Sequence, residues 1–366
     1  MRSTLAALSL VLVVGVSAGP FAGADTVFRA DSGDGFLVGS HLDPGGAPLL
    51  VSNPSEARQE RLVEAQGLPP SWESRYSSIT VNRFGRGLPT AGMNLRGLVV
   101  QLLWLENADR VKPETAVAAL QWVQYALDTF DRLDPAVASL SGLALGSEPP
   151  VQLFLCERSG ACASVDFTGT EALVHARDTL PVPVLAGRPY RASIEALNRS
   201  LGYGGEPTKA AGDTGLDRFV RAINELRRNR PEPDEEPVAV VRRVLTRATS
   251  EPAGWHMIFD PKKLVVHVAP ASAGATADLF LGVYNDPCAP QVRTARLATA
   301  ADDELDLEFA PLAPEVNRRT AVAGAAATTC LPSAAEKTWT EIAGAAAKVE
   351  CAKASTGSAD KLIIRD

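Results

Sequence analysis

No cysteine precedes Cys156, although the chain runs to 366 residues. The only others are Cys162, Cys288, Cys330 and Cys351. None of their spacings reads as a zinc site. The four histidines, His41, His175, His256 and His267, are scattered, and two sit in expected strands. The sequence therefore suggests neither a metal nor any other cofactor. It also lacks an apolar run near the 20 or so residues that a membrane-spanning helix needs. A basic surplus is missing too. The formal charge is −7, which argues against nucleic acid and against anionic membrane surfaces as partners. No internal repeat is apparent.

The longest apolar run is N-terminal. Leu5 to Val16 follow the lone charge of Arg2, and Ala22-Gly23-Ala24 is a small-residue cleavage site. This is the layout of a secretory signal peptide over residues 1–24, and the expected location is secreted or periplasmic. No stable membrane anchor is expected. Export permits disulfides. Cys156 and Cys162 flank a turn and could bridge a hairpin. Cys330 and Cys351 could close the C-terminal segment. Five cysteines leave one single.

Apolar content of 46% and 22% charge describe a globular protein able to bury a sizeable core. Thr26–Gly39 reads as two strands with a turn at 31–35. Strands are predicted at Ser78–Arg83, Gly97–Leu105, Val151–Cys156, Cys162–Phe167 and Ala172–His175. A helix begins at Pro113, with Leu120, Val123, Leu127 and Phe130 on one face. Helices are also predicted at Tyr190–Leu201, around Leu216–Leu226 and at Val238–Ala248. An acidic linker, Pro231–Pro237, separates the last two, and a hairpin at Trp255–Val268 follows. Strand pairs alternating with helix pairs imply an α+β fold. An Ala-rich extension is expected over 326–366.

One stretch is more specific. Ser78 to Glu106, above all Gly92-Met93-Asn94 and Gly97-Leu98-Val99-Val100, resembles the choloylglycine hydrolase and penicillin V acylase family of linear amide C–N hydrolases. Leu120–Phe130, Phe154–Phe167, Leu216–Ala222 and Trp255–Val268 are similar to successive elements of that family. The order and spacing hold over roughly residues 25–320. The resemblance implies the four-layer αββα sandwich of N-terminal-nucleophile hydrolases, over one domain at 25–325.

It also implies a site. Family members expose an N-terminal cysteine whose thiol attacks the amide while its own α-amine moves the proton. The matching residue here is Asp25. A Gly-Arg-Asn-x-Asp motif reads Gly39-Ser40-His41-Leu42-Asp43, so Asp43 is kept and Ser40 replaces the arginine. Trp104 matches an oxyanion-hole position through its backbone N–H. Gly187 stands where an asparagine should donate the second oxyanion bond, and Arg218 matches a second arginine. These six positions are expected to converge at one end of the sheets. A carboxylate is a poor acyl acceptor, because its attack gives an anhydride that reverts. One lost oxyanion donor alone costs about 10²–10³ in rate. The sequence thus points to a relative that has lost catalysis and binds an acyl-amide ligand. The alternative is an active hydrolase with a rearranged site, with Thr26, Ser32 or Ser40 as hydroxyl nucleophile.

Overall fold

The structure, a computed structural model, describes residues 25–351 except 34, 44, 47, 107–108, 146–150, 169–170, 201, 204–212, 229–234, 250–252, 273, 290, 298–304, 306, 332–335 and 347–349. The expected signal peptide, and part of the acidic linker, lie outside the described residues.

The chain opens with a hairpin, β1 (Thr26–Ser32) and β2 (Gly35–Leu42). Six strands follow: β3 (Leu49–Asn53), β4 (Ala57–Glu60), β5 (Ser71–Glu73), β6 (Ser78–Asn82), β7 (Ala91–Asn94) and β8 (Val99–Trp104). Then come α1 (Pro113–Thr129), α2 (Leu133–Ser139), β9 (Val151–Cys156), β10 (Cys162–Thr168), β11 (Glu171–Ala176) and the short β12 (Val184–Leu185). Helices α3 (Tyr190–Asn198), α4 (Gly215–Arg228) and α5 (Pro237–Ala248) precede the hairpin β13 (Trp255–Asp260) and β14 (Val265–Pro270). The remainder is β15 (Ala277–Phe280), β16 (Arg293–Arg296), β17 (Ala310–Pro311), α6 (Pro314–Ala327), α7 (Glu336–Ala346) and β18 (Glu350–Cys351).

The strands form a six-stranded sheet, β12-β1-β2-β13-β14-β15, and a nine-stranded sheet, β11-β10-β9-β8-β7-β6-β3-β16-β17. A small third sheet joins β18, β4 and β5. The described pairings are antiparallel, so hairpins and meanders connect neighbours rather than βαβ crossovers. Alternation along β8 explains the layering. Val99 and Leu103 enter the core shared with the six-stranded sheet, while Val100, Leu102 and Trp104 pack with α1. Leu120, Val123 and Leu127 of α1 are fully buried there. Gly92 lets α1 approach: a Cβ on it would lie 2.9 Å from Leu127 Cδ1 and 2.8 Å from the Ile79 carbonyl. Phe219 and Ile223 of α4, and Val241, Val244 and Leu245 of α5, cover the six-stranded sheet. The result is the α+β sandwich that the pattern of elements implies.

The C-terminal segment is bound into this body. α6 crosses the expected domain boundary at 325/326. Asn317 Oδ1 accepts the Arg86 N–H at 2.7 Å, and Asn317 Nδ2 donates to the Ala343 carbonyl at 2.8 Å. Trp339 is fully buried against Phe84, with ring centroids 5.3 Å apart. Cys156 and Cys162 are joined, as the hairpin spacing suggests. The expected Cys330–Cys351 bridge is not formed. Cys351 instead bonds Cys288, because β18 adds to the edge of β4, where the Cys288 N–H donates to the Ser55 carbonyl. Cys330 stays single and buried.

Replacing Trp339 by alanine should therefore cost about 3–5 kcal/mol in urea unfolding, the range for a large aromatic removed from a core. A cost below about 1 kcal/mol would show that α7 is not part of the cooperative unit.

Candidate active site

Asp25 is the residue just before β1, and it is fully buried. Along β1, Phe28 lies beside Gly39, and a Cβ on Gly39 would lie 2.6 Å from Val241 Cγ1 of α5. Residues 26 and 28 thus face the helices. Asp25 and Val27 face the other sheet. Ile79 and Val81 of β6 line the same interior, and Arg83 continues their parity just past the strand end. The two charges meet there. Arg83 Nη2 donates to Asp25 Oδ1 at 2.8 Å and to the Asp43 carbonyl at 2.9 Å. The Asp43 N–H donates to the same Asp25 oxygen at 2.9 Å. Both side chains are almost solvent-free, at 1% and 3% exposure. A buried pair of this kind is held by its mutual attraction and hydrogen bonds against a desolvation penalty of several kcal/mol per ion.

The other candidate positions surround this pair unevenly. Ser40 pairs with Val27 across the hairpin and is fully buried, with no hydrogen-bond partner for its hydroxyl. β12 pairs with β1 through Val27↔Leu185. Continuing that register by two residues sets Gly187 opposite Asp25. Gly187 has φ +73°, a left-handed conformation that asparagine tolerates better than most residues, and its carbonyl accepts the Glu106 N–H at 2.9 Å. Arg218 on α4 is 2% exposed and bonded to the Glu106 carboxylate. The other Glu106 oxygen takes the Gly215 N–H at 2.8 Å, at the start of α4, where helix dipole and carboxylate attract. Trp104 differs. Its indole packs on the α1 side against Phe84, with ring centroids 5.8 Å apart, on the opposite face from Asp25. Asp25, Asp43 and Arg83 thus form one bonded cluster. Gly187, Glu106 and Arg218 form a second.

Arg83 and Glu106 are the residues that reading for the family motif misses. Both had a signal. Arg83 ends an alternating strand at an inward position, where a charge demands a buried partner. Glu106 lies two residues past β8, every residue of which is buried.

Between the clusters, on the helix-facing side, Thr26, His41 and His256 sit side by side across β1, β2 and β13. All three are fully buried, and none of their side-chain polar atoms has a hydrogen-bond partner. The imidazoles meet edge to face, 5.4 Å apart. Burial is the chief cause that lowers both histidines to about 3, followed for His41 by the charges of Arg83 and Arg218, and for His256 by His41 and Arg242. Both rings are therefore neutral near pH 7. None of the described cysteines offers a nucleophile. Four are in disulfides, and burial pushes the Cys330 thiol up to about 12. No group of three or more metal-ligating side chains occurs among the described residues.

Comparison with known proteins finds similarity of sequence over part of the chain and similarity of fold over most of it. No family model matches the chain. A penicillin V acylase of Pectobacterium atrosepticum is 28% identical over 173 residues, which are 41% of this chain. The matched stretch spans 45% of that relative, less than half its length. The structure of penicillin V acylase from Agrobacterium tumefaciens superposes with a TM-score of 0.58 at 17% identity. It covers 79% of this chain and all of that one. A variant of conjugated bile acid hydrolase from Clostridium perfringens gives 0.52 at 12% identity, over 77% of this chain and 99% of the other.

The buried imidazoles generate a pH prediction. Unfolded, each histidine takes up a proton near 6.5; folded, only near 3. Their contribution to stability is therefore lost as pH falls from about 6.5 toward 3. Asp128, which burial raises to about 6, acts with the opposite sign, so variant and parent must be compared. His256→Leu should gain melting temperature relative to the parent between pH 8 and pH 5. An unchanged difference across that range would mean that His256 is already protonated or solvated in the fold.

Proposed function

We propose that this chain, a homologue of penicillin V acylase with the fold of the N-terminal-nucleophile hydrolases, is a secreted member of that fold that binds an acyl-amide ligand without cleaving it. The observation that carries the reading is the engaged state of Asp25. At the position of the family's nucleophile stands a carboxylate with one oxygen bonded to Arg83 and to the Asp43 N–H. The acyl product of such a group would be an anhydride that reverts. Gly187 has no side chain to donate to a developing oxyanion.

The expected loss of the positive charge at Ser40 has a structural counterpart. Arg83 supplies a guanidinium from a different strand. That charge now neutralises Asp25 rather than steadying a thiolate. An arginine at Ser40 would add a second buried cation where the side chain is fully enclosed, so restoring the family chemistry should not require it. Secretion is supported by the signal-like leader and by two disulfides among the described residues, which persist in oxidising compartments. A rearranged hydrolase is less well supported. Thr26 is fully buried on the helix-facing side of its sheet, where a substrate has no approach without opening the layers.

The test is turnover of penicillin V and of conjugated bile salts by protein whose N-terminus has been sequenced. The parent should show none. Asp25→Cys places a thiol beside Arg83, which favours the thiolate. With Gly187→Asn added, the pair should exceed either single change by more than their product, since such groups act as a unit. Robust turnover by the parent, abolished by Thr26→Ala, would replace this reading with that of a rearranged hydrolase.

A further inference from the structure

The two disulfides sit in unlike surroundings. Cys156 and Cys162 face each other across the β9–β10 ladder and are 0% and 7% exposed. β8 flanks β9 and β11 flanks β10, so that bond lies inside the nine-stranded sheet. Cys351 is exposed and Cys288 half-buried. A disulfide is broken by a thiolate that reaches one of its sulfurs, so access favours attack on the second bond. Its two ends are held unequally. Cys288 is anchored without it: its N–H donates to the Ser55 carbonyl at 2.7 Å, and Asn285, three residues earlier, accepts from the Ser77 hydroxyl at 2.9 Å. Cys351 belongs to β18, whose ladder with β4 is two residues long, Glu350↔Arg58 and Cys351↔Ala57. So short a ladder does not by itself offset the entropy of ordering the segment. β18 also closes one side of a cleft of about 350 Å³, which Glu350 and Ala346 line together with Gln59, Leu62 and Gln121. Cys330 is no internal attacker, because it is buried and burial pushes its thiol up to about 12.

We propose that the Cys288–Cys351 bond is a reducible clasp, and that a dithiol reductant opens it, frees β18 from the edge of β4 and uncovers that side of the cleft. One thiolate of the dithiol attacks a sulfur of the bond and forms a mixed disulfide. The second thiolate resolves it, which leaves a disulfide on the reductant and two thiols on the protein. Two electrons pass to the protein, and each of its two cysteines gains a proton. The strap then detaches at the Cys351 end, while Cys288 stays on its own hydrogen bonds. Release stops at α7, whose end is held by the Ala346 carbonyl accepting from Arg86 and whose Trp339 is buried on Phe84. The Cys156–Cys162 bond stays closed. None of this depends on whether Asp25 catalyses anything.

The experiment titrates dithiothreitol onto the folded full mature chain, alkylates free thiols after denaturation and reads each cysteine by mass spectrometry. Cys330 is labelled from the start and serves as the reference. Cys288 and Cys351 should be labelled at a concentration at least about tenfold below that needed for Cys156 and Cys162, the factor that about 1.4 kcal/mol gives. In the selectively reduced protein, amides in 57–60 and 350–351 should exchange with deuterium at least about tenfold faster, while those of α6 and α7 stay as they were. Cys351→Ser should show the same exchange with no reductant present; if it does not fold, the reduced parent carries the measurement. Reduction of both pairs together, unchanged exchange in β4 once the bond is open, or folded Cys351→Ser with the parent's exchange would each overturn the proposal. So would faster exchange throughout α6 and α7, because the bond would then staple the fold rather than a strap.

Discussion

The buried ion pair between Asp25 and Arg83 is the constraint around which the site end of the molecule is organised. It joins the start of the six-stranded sheet to the end of β6 in the nine-stranded one. A charge at either position alone would be untenable with so little solvent contact. The pair also fixes the loop after β2, because Asp43 gives its N–H to Asp25 and its carbonyl to Arg83. Three segments that are distant in sequence thus share one set of bonds. The turn that carries Arg83 is gripped in turn by the C-terminal helices, through Asn317 and through Trp339 on Phe84.

The chemistry follows from what that pair occupies. The guanidinium of Arg83, just past β6, meets the carboxylate of Asp25, just before β1. The second cluster, Arg218 with Glu106 beside Gly187, is likewise closed on itself. Both charged groups of the expected site now have internal partners. Under the proposed function, these closed pairs suit binding and stability rather than the stabilisation of developing charge. The three neutral polar side chains between the clusters, Thr26, His41 and His256, are silent in either role near pH 7.

Much of the fold was legible in the sequence, for local reasons. The alternation of Thr26–Gly39, the helical spacing after Pro113 and the hairpin at Trp255–Val268 each follow from the side chains alone. The short strands β4, β5 and β18 carry no such pattern and exist through edge pairing, which is why Cys351 finds Cys288 rather than Cys330. The site was half legible. A motif locates Asp25, Asp43, Gly187 and Arg218 by their order along the chain. It cannot reveal Arg83 or Glu106, because their partners Asp25 and Arg218 are near only in three dimensions. Strand parity sends the indole of Trp104 to the α1 side, while the expectation for this residue concerned its backbone N–H.

A double-mutant cycle on Asp25 and Arg83, read by urea unfolding at pH 7, tests the central claim most directly. Asp25→Asn and Arg83→Met should each destabilise by about 3–5 kcal/mol, since each leaves one buried charge unpaired. The double variant should be more stable than either single one, because both charges have then been removed together. If the two losses simply add, Asp25 and Arg83 do not depend on each other, and the account of this site is wrong.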